Sequence, residues 1–225
     1  MTGNDTFNFF CSWSGGKDSC LALYRMIRAG SHCAALFTMI DETGEHSRAH
    51  SLTVPILQAQ AAAMGLPLRV AYATWEHYEN EFRKVAKQFG DEGVLDSVFG
   101  DIDLDEHRQW VERVCSESGI TAHEPLWRES RRGLVDAFVN AGFTACIVVV
   151  NTKKMPARFL GRIIDAALAD ELESLGIDAC GENGEYHSFV YDGPLFRQKV
   201  HFSRGTIVRV LDYVFLPVTV TEKNT

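Results

Sequence analysis

The chain has 225 residues, 46% of them apolar and 23% charged, with a net charge of −8. This length supports one substantial core, or one domain with an appended lobe, and the composition is that of an ordinary globular protein rather than a disordered or fibrous one. The acidic balance argues against stable nucleic-acid binding, which depends on cationic contacts to phosphate.

Phe7 to Cys11 is an apolar run that reads as a buried first strand. It leads into Ser12-Trp13-Ser14-Gly15-Gly16-Lys17-Asp18-Ser19, and from Asp18 the residues Leu21, Tyr24, Ile27 and Arg28 recur at helical spacing until Gly30. In a strand, glycine turn and helix in that order, the glycines let backbone approach an anion, and the first helical N–H groups point at it. Lys17 adds positive charge, and Ser12, Ser14 and Ser19 add hydroxyl donors. A Walker loop requires Gly where Cys11 stands and Ser or Thr where Asp18 stands, and no Gly-x-Gly-x-x-Gly is present. The remaining Ser-Gly-Gly-Lys-Asp-Ser resembles the PP-loop of ATP pyrophosphatases, which split ATP into AMP and pyrophosphate.

Ser31–Ile40 follows as a second buried strand, then a polar loop from Asp41 to His50 and a helix from Val54 to Met64. A third strand, Leu66–Tyr72, precedes a helix over Trp75–Phe89, and a fourth strand, Val94–Phe99, precedes Gly100-Asp101-Ile102. Asp105–Ser118 reads as a helix capped by Asp105, Thr121–Leu126 as a fifth strand, Arg131–Ala141 as a helix and Phe143–Val150 as a sixth strand. This alternation predicts an α/β fold with a mostly parallel, Rossmann-like sheet, helices on both faces, and ligand sites at the carboxyl ends of the strands. After Val150 the pattern changes to a helix over Leu160–Leu175, a Gly-rich polar stretch from Asp178 to Phe196, and a β-hairpin over Val200–Val220 around Ser203-Arg204-Gly205. The expected organisation is an ATP-binding domain over residues 1–150 and a smaller substrate-binding lobe over 151–225.

Six scattered cysteines with no Cys-x-x-Cys pair argue against a zinc ribbon, a thioredoxin-type site or a disulfide scaffold, and favour buried thiols in a reducing cytoplasm. No apolar run approaches a membrane span, and Met1–Asn8 is too polar for a signal peptide. Arg128, Arg131 and Arg132, with Lys153, Lys154 and Arg158, form modest cationic clusters that suit helix starts or ATP phosphates. His46 and His50 are four residues apart in a loop and lack a complete set of metal ligands. Asp101 suits Mg²⁺ coordination through oxygen, although an Asx turn accounts for it equally well. Glu182, Glu185 and His187 lie among glycines and a tyrosine; they make poor packing material and suit general base chemistry or the binding of an amine. Cys180 beside them reads as a buried structural thiol.

Ser14-Gly15-Gly16-Lys17-Asp18-Ser19, Gly100-Asp101-Ile102 with Arg108 beyond it, Pro125-Leu126-Trp127, and Cys180-Gly181-Glu182-Asn183-Gly184-Glu185-Tyr186-His187 followed by Asp192-Gly193-Pro194-Leu195-Phe196 occur in order. Together they resemble the diphthine–ammonia ligase family of the PP-loop superfamily, whose fold is of the adenine nucleotide alpha hydrolase type. The resemblance implies that ATP activates a carboxylate with release of pyrophosphate and that ammonia then displaces AMP; in the eponymous ligase the carboxylate is that of diphthine, a modified histidine on a translation elongation factor. It places Ser12, Ser14, Gly15, Gly16, Lys17, Asp18 and Ser19 on the ATP phosphates, with Mg²⁺ held by Asp18 and Asp101. The backbone near Phe37, Thr38 and Met39 meets the adenine, and Glu182, Glu185 and His187 face the acyl-adenylate or ammonia, with Lys17 and Asp18 also in the catalytic set. A homodimer is compatible with the sequence. Alternatives are a PP-loop enzyme acting on another small carboxylate or a tRNA base, and a module that holds ATP without turnover.

Overall fold

The computed structural model describes residues 6–44, 46–47 and 50–221. Tertiary contacts divide the chain into two units. The first comprises Met1–Ser14, Asp18–Arg48 and Leu66–Arg128, and the second comprises Gly15–Lys17, Ala49–Gly65 and Glu129–Thr225.

The first unit is an α/β layer structure. Strands β1 (Asn8–Ser12), β2 (His32–Ile40), β3 (Leu68–Tyr72), β4 (Asp96–Val98) and β5 (Thr121–His123) form a sheet in the order β3-β2-β1-β4-β5. Every pairing in it is parallel. Helix α1 (Lys17–Arg28) begins where β1 ends, with Asp18 in its first turn and Arg25 and Arg28 in its last, the charge order that complements the helix dipole. Side chains alternate along β2, so Ala35, Phe37 and Met39 share one face. They pack in one buried cluster with Phe82, Val85 and Phe89 of α3 (Tyr78–Asp91) and Val111 and Val114 of α4 (Asp105–Glu117). Phe10 of β1 stacks on Phe89 at 4.3 Å, and burial of each such ring contributes about 2–3 kcal/mol. Asp105 is the first helical residue of α4 rather than its cap: the flanking Leu104 makes no side-chain cap bond, and Asp105 instead meets Arg128 at 2.7 Å.

The second unit contains helices α2 (Val54–Met64), α5 (Arg131–Asn140) and α6 (Ala166–Ser174). Its strands are β6 (Thr144–Asn151), β7 (Tyr186–Asp192), β8 (Phe202–Arg204), β9 (Val208–Val210), β10 (Tyr213–Phe215) and β11 (Val218–Val220). Here the structure departs from the sequence expectation. Strand β6 belongs to an antiparallel sheet ordered β7-β6-β10-β9, and the contacts do not break at residue 150. Its continuous Val/Ile run signals burial on both faces, which says nothing about strand direction. The tail hairpin turns at Leu211 and Asp212 between β9 and β10, while Ser203 and Arg204 pair with β11. The helix expected from Leu160 starts only at Ala166, where Asp165 accepts a hydrogen bond from the Leu168 N–H at 2.7 Å.

Candidate functional site

Three loop residues, Gly15, Gly16 and Lys17, belong to the second unit, and its elements grip them closely. Gly15 has φ +81°, and a Cβ there would sit 2.5 Å from Leu52 Cδ1 and 2.8 Å from Gln60 Oε1. A Cβ on Gly16 would strike the His50 ring. Only glycine allows the chain to pass at both positions. The Gly15 carbonyl accepts from the Val190 N–H at 3.0 Å and from Gln60 Nε2 at 2.9 Å, and Gln60 Nε2 also donates to the Val190 carbonyl at 2.6 Å. The Lys17 N–H donates to Ser188 Oγ at 3.0 Å, and His50 Nδ1 donates to the Ser188 carbonyl at 2.8 Å. Lys17 is only 5% exposed, and its Nζ lies 5.6 Å from the centre of the Tyr186 ring. The loop is therefore clamped by β7, the strand that continues directly from Gly181–Glu185. Two stretches far apart in sequence meet in one unit.

Gln60 and Ser188 have no counterpart among the residues expected from sequence, and His50 was weighed there only as a metal ligand. Gln60 is fully buried in α2, and the one sequence signal that could have found it is a polar amide, shared with Gln58, in an otherwise apolar helix.

The segment before β7 is held by its own polar network. Asp178 accepts from the N–H groups of Cys180 and Glu182 at 2.9 and 3.1 Å and pairs with Arg131 at 2.7 Å. Arg131 also donates to Asn183 Oδ1 at 2.9 Å, Asn183 Nδ2 donates to Glu185 Oε1 at 3.1 Å, and Lys154 donates to the Asn183 carbonyl. Glu185 is 6% exposed, and its second oxygen, Oε2, is buried without a hydrogen-bond partner. A buried carboxylate oxygen left unpaired is costly, which makes it an acceptor suited to an incoming N–H group. His187 packs against His50 at 4.8 Å between ring centres. Burial first, then His50 and Lys17, drive its imidazole down to about 3, so it is neutral at physiological pH. Cys180 is a buried free thiol, as are the other five cysteines.

In the first unit, Ser14 Oγ lies 3.1 Å from Ser19 Oγ, and Ser12 ends β1. The Thr38 hydroxyl donates to the Trp13 carbonyl at 2.6 Å, and Met39 packs in the apolar cluster. Both side chains are thus committed within the unit, and adenine contact at these positions would fall to backbone. Gly100 approaches the first turn of α1. Beyond it, the Ile102 carbonyl accepts from the Arg128 N–H at 2.7 Å and the Pro125 carbonyl from Arg25 at 2.9 Å. The Arg108 guanidinium lies 4.7 Å over Trp127 and 3.4 Å from Glu124.

Glu124 was not singled out by sequence. Its side chain is 5% exposed, and Oε1 is buried without a partner. Burial, and then the Asp101 charge, push its carboxyl up to about 7 against the pull of Arg108. Below the ordinary value of 4.5 the group is protonated whether the chain is folded or not. As pH rises from there to about 7, the unfolded chain has already released the proton while the folded protein retains it, so stability is lost across that window. Glu124→Gln removes this loss. Urea unfolding is expected to show the variant gaining about 2 kcal/mol relative to wild type between about pH 5 and about pH 8. A pH-independent difference would show that the carboxyl titrates ordinarily.

Among the described residues, no group of three or more His, Cys, Asp or Glu side chains is placed to hold a metal ion. The His46 carbonyl accepts from the Asp41 N–H at 3.0 Å, and His50 is engaged with Ser188. No helix among the described residues is long and apolar enough to cross a membrane.

Residues 9–122 match the family model described as the diphthamide synthase N-terminal domain, and residues 130–219 match that of the C-terminal domain. A Danio rerio protein named diphthine–ammonia ligase is 29% identical, the match covering 91% of this chain and 90% of that protein. The Homo sapiens protein of the same name is 27% identical over 91% of this chain and 86% of its own length. That of Schizosaccharomyces pombe is 26% identical over 87% of this chain and 36% of its own length. A solved chain described as a predicted subunit of tRNA methyltransferase from Methanocaldococcus jannaschii aligns at a TM-score of 0.46 and 14% identity, covering 84% of this chain and 98% of that one.

Proposed function

Because the chain belongs to the diphthamide synthase family, we propose that it is an ATP-dependent, AMP-forming amide ligase that adenylates a carboxylate and amidates it with ammonia. The acceptor in this reading is diphthine, the modified histidine of a translation elongation factor. The observation that carries it is the clamp of Gly15, Gly16 and Lys17 by β7. The anion-binding turn is held by the strand that continues the Glu182–His187 segment, and a simple strand–helix turn needs no such partner.

The chemistry follows in two displacements. A carboxylate oxygen attacks the α-phosphorus of ATP, the bond to the bridging oxygen breaks, and pyrophosphate leaves with the electron pair, giving an acyl-adenylate. Ammonia then attacks the acyl carbon, AMP leaves, and the nitrogen sheds a proton. Negative charge builds on pyrophosphate in the first step. Lys17 and the N–H groups around Gly16 and Ser19 stabilise it, and a fixed charge in a water-poor setting is most effective there. Ser12, Ser14 and Ser19 supply hydroxyl donors. Asp18 and Asp101 would hold Mg²⁺, which usually takes one or two carboxylates together with substrate phosphates. The fit is supported by the orphaned Glu124 Oε1, a buried oxygen whose carboxyl is pushed up by burial first and then by the Asp101 charge. Mg²⁺ would neutralise phosphate charge. Glu185, through Oε2, takes the proton that the nitrogen sheds, neutral His187 accepts a hydrogen bond from an N–H of ammonia, and Glu182 orients the same nucleophile.

The test is to incubate the protein with ATP, Mg²⁺ and an ammonium salt and to follow AMP. AMP that appears only with diphthine-bearing elongation factor is expected. Dependence on tRNA instead, or no AMP under any condition, would overturn the proposal.

A further inference from the structure

Strand β7 is an edge of its sheet, and an edge strand presents unpaired backbone N–H and C=O groups on its outer side. In β7 the glycine turn and two side chains take up such groups. The Val190 N–H donates to the Gly15 carbonyl at 3.0 Å, and the Ser188 carbonyl accepts from His50 Nδ1 at 2.8 Å. Gln60 completes the set. One proton of its Nε2 goes to the Val190 carbonyl at 2.6 Å and the other to the Gly15 carbonyl at 2.9 Å. The Gly15 oxygen therefore accepts two hydrogen bonds, the full capacity of its lone pairs.

A peptide unit is planar and trans, so its N–H points opposite to its C=O. With the Gly15 carbonyl held by β7 and Gln60, the Gly16 N–H is turned away from both. A Gly–Gly unit is also the one most free to turn over, because no Cβ opposes rotation on either side. Turned over, it would aim the carbonyl oxygen at an anion in the glycine turn and set the Gly16 N–H against the Val190 N–H and Gln60 Nε2. Donors facing a donor disfavour that state, and Gln60 supplies one of the two. Packing alone does not explain the amide. Gln60 is fully buried in α2, whereas Gln58 is exposed. An apolar side chain of the same length would fill the space without the cost of desolvating an amide.

We infer that Gln60 is a positioning residue that locks the Gly15–Gly16 peptide with its N–H toward the phosphates of the bound nucleotide and its carbonyl away from them. The inference rests on the proposed ATP site, to which it adds the discrimination of a polyphosphate from the bare nucleoside.

Affinities of the whole protein for ATP, inorganic pyrophosphate and adenosine are measured by calorimetry in wild type and in Gln60→Met. Methionine keeps the length and helix propensity of glutamine and removes both donors. ATP and pyrophosphate are expected to bind about tenfold more weakly to the variant, the value of one buried hydrogen bond, with adenosine unchanged. A cooperative thermal melt verifies that the variant is folded. A residue that only packed would weaken all three probes alike or none, and either result overturns the inference. A second measurement needs no variant. In the ¹⁵N NMR spectrum of wild type, the Gly16 amide is expected to shift on adding pyrophosphate and to stay in place on adding adenosine. An unmoved Gly16 amide at saturating pyrophosphate overturns the inference even where Gln60→Met fails to fold. Failure here is separable from failure of the ligase proposal. AMP formation by wild type with no selective loss in Gln60→Met would remove the lock and leave the ligase, whereas selective loss without AMP formation would do the reverse.

Discussion

Lys17→Met is expected to lower AMP formation by about a thousandfold while the protein stays folded, with Lys17→Ala behaving alike. Methionine keeps an apolar stem of similar length in a site where Lys17 is only 5% exposed, so the substitution removes the charge more than the packing. The loop backbone has independent supports, since Gly15 is held by Gln60 and Val190 and the Lys17 N–H by Ser188. The stability lost with the contact to the Tyr186 ring is about 1 kcal/mol, which a thermal melt would register as a small shift.

A second readout separates loss of charge from loss of structure. Lys17 is one of the groups that hold the His187 imidazole near 3, after burial and His50. Neutralising it should let that value rise, visible in a pH titration of the His187 ring by NMR. A rise in His187 together with lost AMP formation locates the defect in the charge. AMP formation equal to wild type would remove Lys17 from the chemistry altogether.

How much of this was legible in the sequence depends on whether a feature is local. The parallel strands β1 to β5 and helices α1 to α5 follow apolar periodicity and glycine stops, and they lie close to their expected places. The glycine turn was legible because φ +81° at Gly15 and the close approach at Gly16 each demand glycine whatever the fold. Strand direction was not legible. The run Ile147-Val148-Val149-Val150 has the apolar character of a parallel strand, yet it pairs antiparallel with Tyr186–Asp192 and Tyr213–Phe215. The tail turn at Leu211 was hidden for a related reason, since Leu211 takes φ +51° with no glycine to advertise it. The site residues that sequence missed, Gln60, Ser188 and Glu124, are single polar groups in otherwise apolar or ordinary elements. Their meaning lies in partners that only folding supplies: two carbonyls for Gln60, the Lys17 N–H for Ser188, and the Asp101 charge for Glu124.

Gly100→Ala is expected to cost about 3 kcal/mol, a large effect for adding one methyl group. Gly100 carries no positive φ, so the cost is steric and does not come from backbone strain. A Cβ there would lie 2.7 Å from the Ser19 nitrogen, 2.8 Å from the Asp18 carbonyl carbon and 3.1 Å from its oxygen. These are backbone atoms in the first turn of α1 and cannot rotate aside as a side chain would. Relief requires the start of α1 to move away from β4, which displaces Asp18 and Ser19 from the positions that the ATP proposal needs. ATP affinity should therefore fall along with stability. Gly133→Ala supplies the contrast. Gly133 lies inside α5, and its nearest neighbour to a new Cβ is the Ser130 Cβ at 3.4 Å, an ordinary packing distance. Alanine there should be neutral or stabilise by up to about 1 kcal/mol, because glycine is the poorer helix former. Urea unfolding of both variants, paired with ATP titration, decides the matter. If Gly100→Ala matches wild type in both, β4 and α1 do not approach as closely as the 2.7 Å contact requires.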